Sequence, residues 1–511
     1  MTAAAEPWTR RAPVDLPGPE GDNSIAREPL WYAYGAGDDA PEPPSWTWAV
    51  TPPPDSHVPP PPPRPAGPAT LLPPGTTDRL SALPYPHVPA PGGPASPDAL
   101  AHALTATFAP LRREPENPYN EHRPYASPRC LFPVHAFVGD GRDWRLLEPT
   151  RHTLTGPGTN APTRIALTGR YTAIPLAYQW FRGSLVAIET GMVLRALALG
   201  LGLFGVPATL TPPTADGPDL LRDLGVEQTW EWSLPWLLDV AQPPPAAHRR
   251  PEPEARAPEQ DPSLRHVIDV DRDAFRGAGN CATSPTQPAP VTTAVPPTLP
   301  PSQHTPTWSE LLWHRHSGRM PRALHGMDSA KCLTPLPTRT LTTSLAWLGV
   351  LPPHPTLAAA FDAVTVTAVV QHIDGHTPGV HRVHDGTAHL LRRDPTAPAG
   401  LEANYGYGLT PVNGCGIADA PLTVFFSVRP RELFARFGPA GWSAAQHACG
   451  WAVHGLCLAA AAEGLFARPV RAFKEIQTKE VIGLDEDETI VLSAVVGVPR
   501  ETGGAVLDLR T

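Results

Sequence analysis

Arg315-His-Ser317-Gly-Arg319 places two guanidiniums around one hydroxyl. On an irregular segment alternate positions point the same way, so Arg315, Ser317 and Arg319 can converge on one object. Bidentate charged donors with one neutral donor, and no carboxylate alongside, suit a phosphate. The plainer reading of the same five residues is a solvated basic loop. The chain has a net charge of −9 and only 17% charged residues, which argues against a general nucleic-acid binder and makes a local basic cluster conspicuous. Other clusters lack the spacing their chemistry needs. His372, His376, His381, His384 and His389 alternate through a hairpin and cannot all face one ion, so no metal is expected. IGLDEDE has neither calcium-loop spacing nor the form of a paired-carboxylate site, and reads as a solvated turn. Gly200, Gly202 and Gly205 have dinucleotide-fingerprint spacing but end a helix instead of joining a strand to a helix start.

The basic cluster needs an element to hold it. Thr307 and Glu310 have capping-box spacing ahead of Leu311, Leu312 and Trp313, which predicts a short helix ending at the cluster. The 511 residues include 71 prolines, too many for one packed body. Residues 1–98 read as a Pro-rich lead, largely extended or disordered, in which the aromatic patch LWYAYGAG can dock on a folded body. Residues 99–240 read as a first domain, with Asp98 as a cap of its opening helix; 241–306 as a Pro-rich linker; 307–500 as a second domain; and 501–511 as a tail. The six cysteines show no CxxC pair and no zinc spacing, and the N-terminal stretch has no apolar core. A cytoplasmic protein with reduced thiols is expected. The apolar run from Leu185 to Leu210 contains Glu189 and Arg195 and meets Pro207, so it reads as a buried helix and no membrane partner is expected.

The two bodies echo each other. Gly202-Leu-Phe-Gly-Val-Pro207 and Gly464-Leu-Phe-Ala-Arg-Pro469 each follow a long Ala/Leu-rich helix. Residues 224–240 align without a gap against 482–498. Two matched segments in one order predict a duplicated α+β unit, whose long helices pack on one another like the halves of a dimer within one chain. The groove between such halves is a favoured ligand site.

Arg-x-Ser-x-Arg after an opening helix resembles the FMN-phosphate clamp of the nitroreductase superfamily. Further stretches are similar to its SagB-type branch, the azoline dehydrogenases of thiazole- and oxazole-modified peptide pathways. Arg123-Pro-Tyr-Ala-Ser127-Pro-Arg-Cys-Leu131-Phe-Pro133 resembles the Ser-Gly-x-Leu-Tyr-Pro loop over the flavin. Residues 369–391 resemble the family's PGV hairpin, and Glu189-Thr-Gly191 its central helix. The resemblance covers roughly residues 100–240 and 307–500. It implies a nitroreductase-like α+β fold, duplicated as an intramolecular pseudo-dimer.

The departures are complementary. The first copy has no Arg-x-Ser-x-Arg and the second no Ser-x-x-x-Leu-x-Pro loop, so the resemblance implies one composite FMN site. Arg315, Ser317 and Arg319 would hold the phosphate, Ser127, Leu131 and Pro133 would cover the isoalloxazine, and Arg500 after the last strand would help hold the flavin. The family's Lys-Tyr pair before the central helix is Ala177-Tyr178 here. Tyr178 is the candidate base, activated by a cation such as Arg182, Lys474 or Lys479; either lysine could also replace the missing one, exposed helix lysines being the plainer reading. The implied reaction is the two-electron oxidation of a peptidyl thiazoline or oxazoline to the azole in thiopeptide-like biosynthesis, with an azoline-containing precursor peptide and a cyclodehydratase complex as the partners the resemblance implies. A nicotinamide-dependent flavin reductase or nitroreductase of the same fold, and a flavin-free scaffold that binds the precursor peptide, are the rival readings.

Overall fold

The computed structural model describes residues 60, 63, 65–90, 96–115, 121–158, 161–178, 180–240, 254–256, 261–276, 289–291, 294–301, 305–318, 329–405, 416–500 and 505–511. Arg319, the aromatic patch at 30–37, Cys281 and Cys415 lie outside them. The architecture is mixed α+β, built on two antiparallel sheets with a pair of long helices between them.

The first half carries β1 (Ala69–Leu71), β2 (Arg112–Arg113), β3 (Val134–Gly139), β4 (Trp144–Glu148), β5 (Thr153–Thr155), β6 (Arg164–Gly169), β7 (Thr209–Thr211), β8 (Trp236–Asp239) and β9 (Ala289–Pro290). The second carries β10 (Ser329–Ala330), β11 (Thr365–Val370), β12 (Gly379–His384), β13 (Thr387–Arg393), β14 (Leu422–Val428), β15 (Phe466–Val470) and β16 (Thr489–Pro499). The cores of the two sheets have one order, β5-β4-β3-β6-β8-β7 and β13-β12-β11-β14-β16, with β15 on β16. Strands of the second sheet such as β14, LTVFFSV, are buried along their whole length, consistent with a sheet covered on both faces.

The helices Phe181–Leu203 and Ala440–Ala462, 23 residues each, cross at glycine. A Cβ on Gly191 would lie 2.0 Å from the carbonyl oxygen of His447, and one on Gly450 would lie 2.1 Å from that of Ile188. Each helix thus offers the other the same pair, a glycine and a carbonyl three residues before it. Absence of a side chain at the crossing lets the two backbones touch. The first helix is long and apolar enough to span a membrane, yet is buried within the protein. Its Arg195 is fully buried and donates to the carbonyls of Trp451, Trp347 and Ala294, between the rings of Trp347 and Trp451. Those hydrogen bonds are what make a buried guanidinium tolerable, and they join segments from both halves and the linker.

The described stretches of the Pro-rich parts and the tail carry short elements docked on the two sheets and helices. In the lead, β1 extends the first sheet beside β5, Leu80 is buried, and Tyr85 accepts a hydrogen bond from Trp347 at 2.8 Å while packing on Trp308. In the linker, Pro262–Arg276 is a helix whose Leu264, Val267 and Ile268 pack on Tyr171, Ile174 and Val186. Arg182 ties its start down through Asp261 at 2.8 Å. The tail forms β17 (Leu507–Asp508), which pairs with β2 of the first half. In the lead and the linker a few large apolar side chains near prolines suffice to dock a short segment, whereas the tail docks through backbone pairing, its Leu507 being exposed. The first-domain helix Pro97–Phe108 is capped by Ser96, not Asp98, which sits in its first turn.

Candidate functional site

A cleft of about 290 Å³ opens between the halves. The short helix Trp308–His314 has the expected capping box: Thr307 Oγ1 accepts from Glu310 N at 3.2 Å, and Thr307 N donates to Glu310 Oε2 at 2.7 Å. At its end Arg315 turns into extended backbone, and Gly318 adopts φ 91°, a conformation glycine favours. Arg315, Ser317 and Gly318 form one wall of the cleft.

Arg315 is 3% exposed. Its Nη2 donates to the carbonyl of Arg123 at 2.9 Å, whereas Nε and Nη1 are buried without a hydrogen-bond partner. Burial lowers its pKa, so the charged form is penalised where it stands. A dehydrated guanidinium with two unmet donors calls for an anion.

The opposite wall belongs to the first half. Ser127 Oγ accepts from Phe132 N at 2.8 Å and donates to Glu189 Oε2 at 2.6 Å; Val134 N donates to Glu189 Oε1 at 3.4 Å. These bonds hold the loop 127–133 against the first long helix. Ser127, Phe132, Tyr178 and Glu189 all line the cleft. Leu131 and Pro133 belong to the same loop without lining it.

Glu189 is 1% exposed, and burial pushes its carboxyl up to about 8 against the hydrogen bonds from Ser127 and Val134 N. The native state therefore keeps a proton that the unfolded chain releases above about pH 4.5. Stability from this group is complete below that pH and falls as pH rises toward 8, by an amount on the order of 4 kcal/mol. Glu189→Gln should remove the dependence: relative to the native protein its melting temperature should rise between pH 5 and pH 8, as thermal unfolding at the two pH values will test.

Residues that sequence reasoning passed over complete the site. Arg468 and Arg471 enter from β15 and the turn after it, and Arg129 from the Ser127 loop. Arg471 pairs with Glu475 at 2.7 Å. Other expected residues are elsewhere. Lys474 precedes the helix Glu475–Ile482 and Lys479 donates through Nζ to the carbonyls of Glu486 and Glu488 at 2.7 and 2.6 Å; neither lines the cleft. Arg500 lies at the end of β16 and does not line it either, its Nε 3.5 Å from the carbonyl of Ser329. The cation on Tyr178 is Arg129, at 5.6 Å from the ring centroid, whereas Arg182 is engaged by Asp261. No group of three metal-ligating side chains occurs among the described residues.

A second, much smaller cavity of about 40 Å³ occupies the corresponding place on the other side. Leu234 lines it where the aligned Leu492 lines the cleft, and His447 where its counterpart at the helix crossing, Ile188, does. The linker helix contributes Val267, Val270 and Asp271 to its wall.

Part of the chain resembles a known family. Residues 371–498 match the Nitroreductase family model. No curated protein matches the chain. Among solved structures, a candidate nitroreductase from Anabaena variabilis is similar over 85% of this chain and 92% of its own, with a TM-score of 0.58 and 14% identity. The likeness establishes a nitroreductase-like fold that takes in both sheets. An E. coli microcin synthetase McbBCD complex with truncated pro-MccB17 bound is matched over 34% of this chain and 69% of the other, with a TM-score of 0.29 and 15% identity.

Proposed function

We propose that this chain is an FMN-dependent dehydrogenase that oxidises azolines in a ribosomally made peptide to azoles, with one cofactor site per chain. The observation that carries the cofactor assignment is Arg315, buried beside Ser317 with Nε and Nη1 unmet, on the wall of a cleft whose other wall comes from the opposite half. Arg315 and Ser317 fit a phosphate as charged and neutral donors, and Arg319 follows at the same alternation. The loop held by Ser127 and Glu189 would cover the ring system. FMN bound there would supply a two-electron acceptor.

The chain's own part is positioning and proton management. The substrate loses two hydrogens, one leaving with its electron pair and the other as a proton from the neighbouring carbon. Tyr178 lines the cleft wall and would take that proton. The assignment to azolines rests on the Ser127 loop and the hairpin at 369–391, which resemble those of azoline dehydrogenases. The halves are read as two copies of one unit, since sheet order and the reciprocal glycine crossing both repeat. The small volume of the second cavity, with the linker helix in its wall, supports a single site. A precursor peptide is the partner this reading requires, and a cyclodehydratase the enzyme class that would supply its azolines.

The test is the visible spectrum of the purified protein, followed by denaturation and identification of released flavin. One FMN per chain is expected, with turnover of an azoline-containing peptide in oxygen. Two per chain would contradict the single site. Rapid reduction by NADH without azoline turnover would favour a nicotinamide-dependent reductase, and a colourless protein that refuses FMN would favour the peptide-binding scaffold.

A further inference from the structure

We propose that Arg129 is a positioning residue for Tyr178: its guanidinium, laid against the phenol ring, favours the phenolate and sets the pH at which Tyr178 can accept a proton. The inference rests on the reading of Tyr178 as base, but concerns a property of Tyr178 that exists without turnover.

The loop that presents Arg129 is strained. Arg129, Cys130 and Phe132 have φ of 51°, 54° and 49°, a region that side-chain-bearing residues seldom occupy. Three such residues within four positions persist only where surrounding contacts over-determine the backbone. Those contacts are present: Ser127 holds Phe132 N, Glu189 holds Ser127, and the Arg123 guanidinium lies 4.0 Å from the Phe132 ring centroid. With this backbone, the Arg129 side chain reaches the Tyr178 ring, 5.6 Å from guanidinium carbon to centroid.

The other charges around the cleft are committed elsewhere or add to the effect. Glu121 is engaged by Arg113 and Arg123, Arg471 by Glu475, and Arg182 by Asp261. Glu189 keeps its proton through neutral pH. Arg315 and Arg468 contribute further positive charge to the cleft walls. Arg129 itself has no carboxylate within ion-pairing distance among the described residues, so its charge is not cancelled locally. A unit positive charge at this range, at the effective dielectric of a partly buried site, stabilises the phenolate over the phenol. An ordinary Tyr is too weak a base at neutral pH, so this is the direction the proposed reaction needs.

The experiment is a pH titration of the full chain labelled with ¹³Cζ-tyrosine, the Tyr178 signal being assigned by its loss in Tyr178→Phe. Expected is a Tyr178 midpoint about 1 unit or more higher in Arg129→Gln than in the native protein, with Arg129→Lys near the native value. Thermal unfolding of each variant shows whether the loop is intact; if Arg129→Gln does not fold, Arg129→Met carries the same expectation. An unchanged midpoint in the neutral variant overturns the proposal. So does a shift in Arg129→Lys as large as that in Arg129→Gln, since geometry and not charge would then be responsible. Because the titration needs neither cofactor nor substrate, loss of the azoline assignment and loss of this inference give separate results.

Discussion

Arg315→Ala should yield a protein that folds and purifies without colour. Two charge-assisted hydrogen bonds to a phosphate are worth about 1.5–3 kcal/mol each. Their loss predicts a dissociation constant for FMN raised by about 100-fold or more, read by fluorescence titration of flavin-free protein. Fold stability should change little by comparison. The bond from Nη2 to the carbonyl of Arg123 contributes about 1 kcal/mol, and removing a buried, under-satisfied guanidinium offsets part of it. Arg315→Lys should recover only a fraction of the affinity, because an ammonium cannot serve the Arg123 carbonyl and present two directed donors at once. Adding Arg319→Ala to Arg315→Ala should abolish measurable binding. An unaltered affinity in Arg315→Ala would mean that the phosphate, or the cofactor, sits elsewhere.

Gly191→Val should be the most destabilising single change in the helix pair. Even the first carbon of a side chain there would stand 2.0 Å from the oxygen of His447, well inside van der Waals contact, and the obstacle is backbone that cannot rotate away. The helices would have to separate, loosening packing along much of their 23-residue lengths. A cost above about 3 kcal/mol, and a drop of about 10 °C or more in melting temperature, is expected in calorimetry. Gly450→Ala should act in the same way through Ile188. Combining Gly191→Ala with Gly450→Ala should cost less than their sum, since separation forced by one relieves the other. Gly349→Ala is the control: its Cβ would meet nothing nearer than 3.5 Å, and its melting temperature should stay within a degree or two of native. A tolerant Gly191 would show that the crossing is looser than its contacts imply.

What could be read from the chain was whatever local chemistry determines. The capping box at Thr307 and Glu310 involves residues three apart and needs no tertiary context, so the helix that carries Arg315 was predictable. Ser127, Tyr178, Arg315 and Ser317 do meet in one cleft, although nearly 200 positions separate the first from the last. The linker helix escaped notice because prolines flank it and its charged face dilutes the apolar signal. Leu264, Val267 and Ile268 at helical spacing behind Asp261 and Ser263 were the available clue. Arg129 carried no clue, since a left-handed backbone at a non-glycine residue follows from how a loop is held and not from residue types. Lys479 drew attention as a possible catalytic lysine, but only the fold reveals the carbonyls of Glu486 and Glu488 on its ammonium group.

One feature of the cleft bears on how the molecule behaves on dilution. Arg315 and Ser127 stand on walls supplied by different halves, and β17 at the far end of the chain returns to pair with β2 of the first half. Were the halves separate polypeptides, two first halves or two second halves could associate, and such assemblies would carry the Ser127 wall without the Arg315 wall or the reverse. A single chain removes that mixture. Every molecule holds one of each wall at the high effective concentration of a tether, so the integrity of the cleft is independent of how many molecules are present. A substitution in one wall therefore alters one side of the cleft in every molecule and leaves the other as it was.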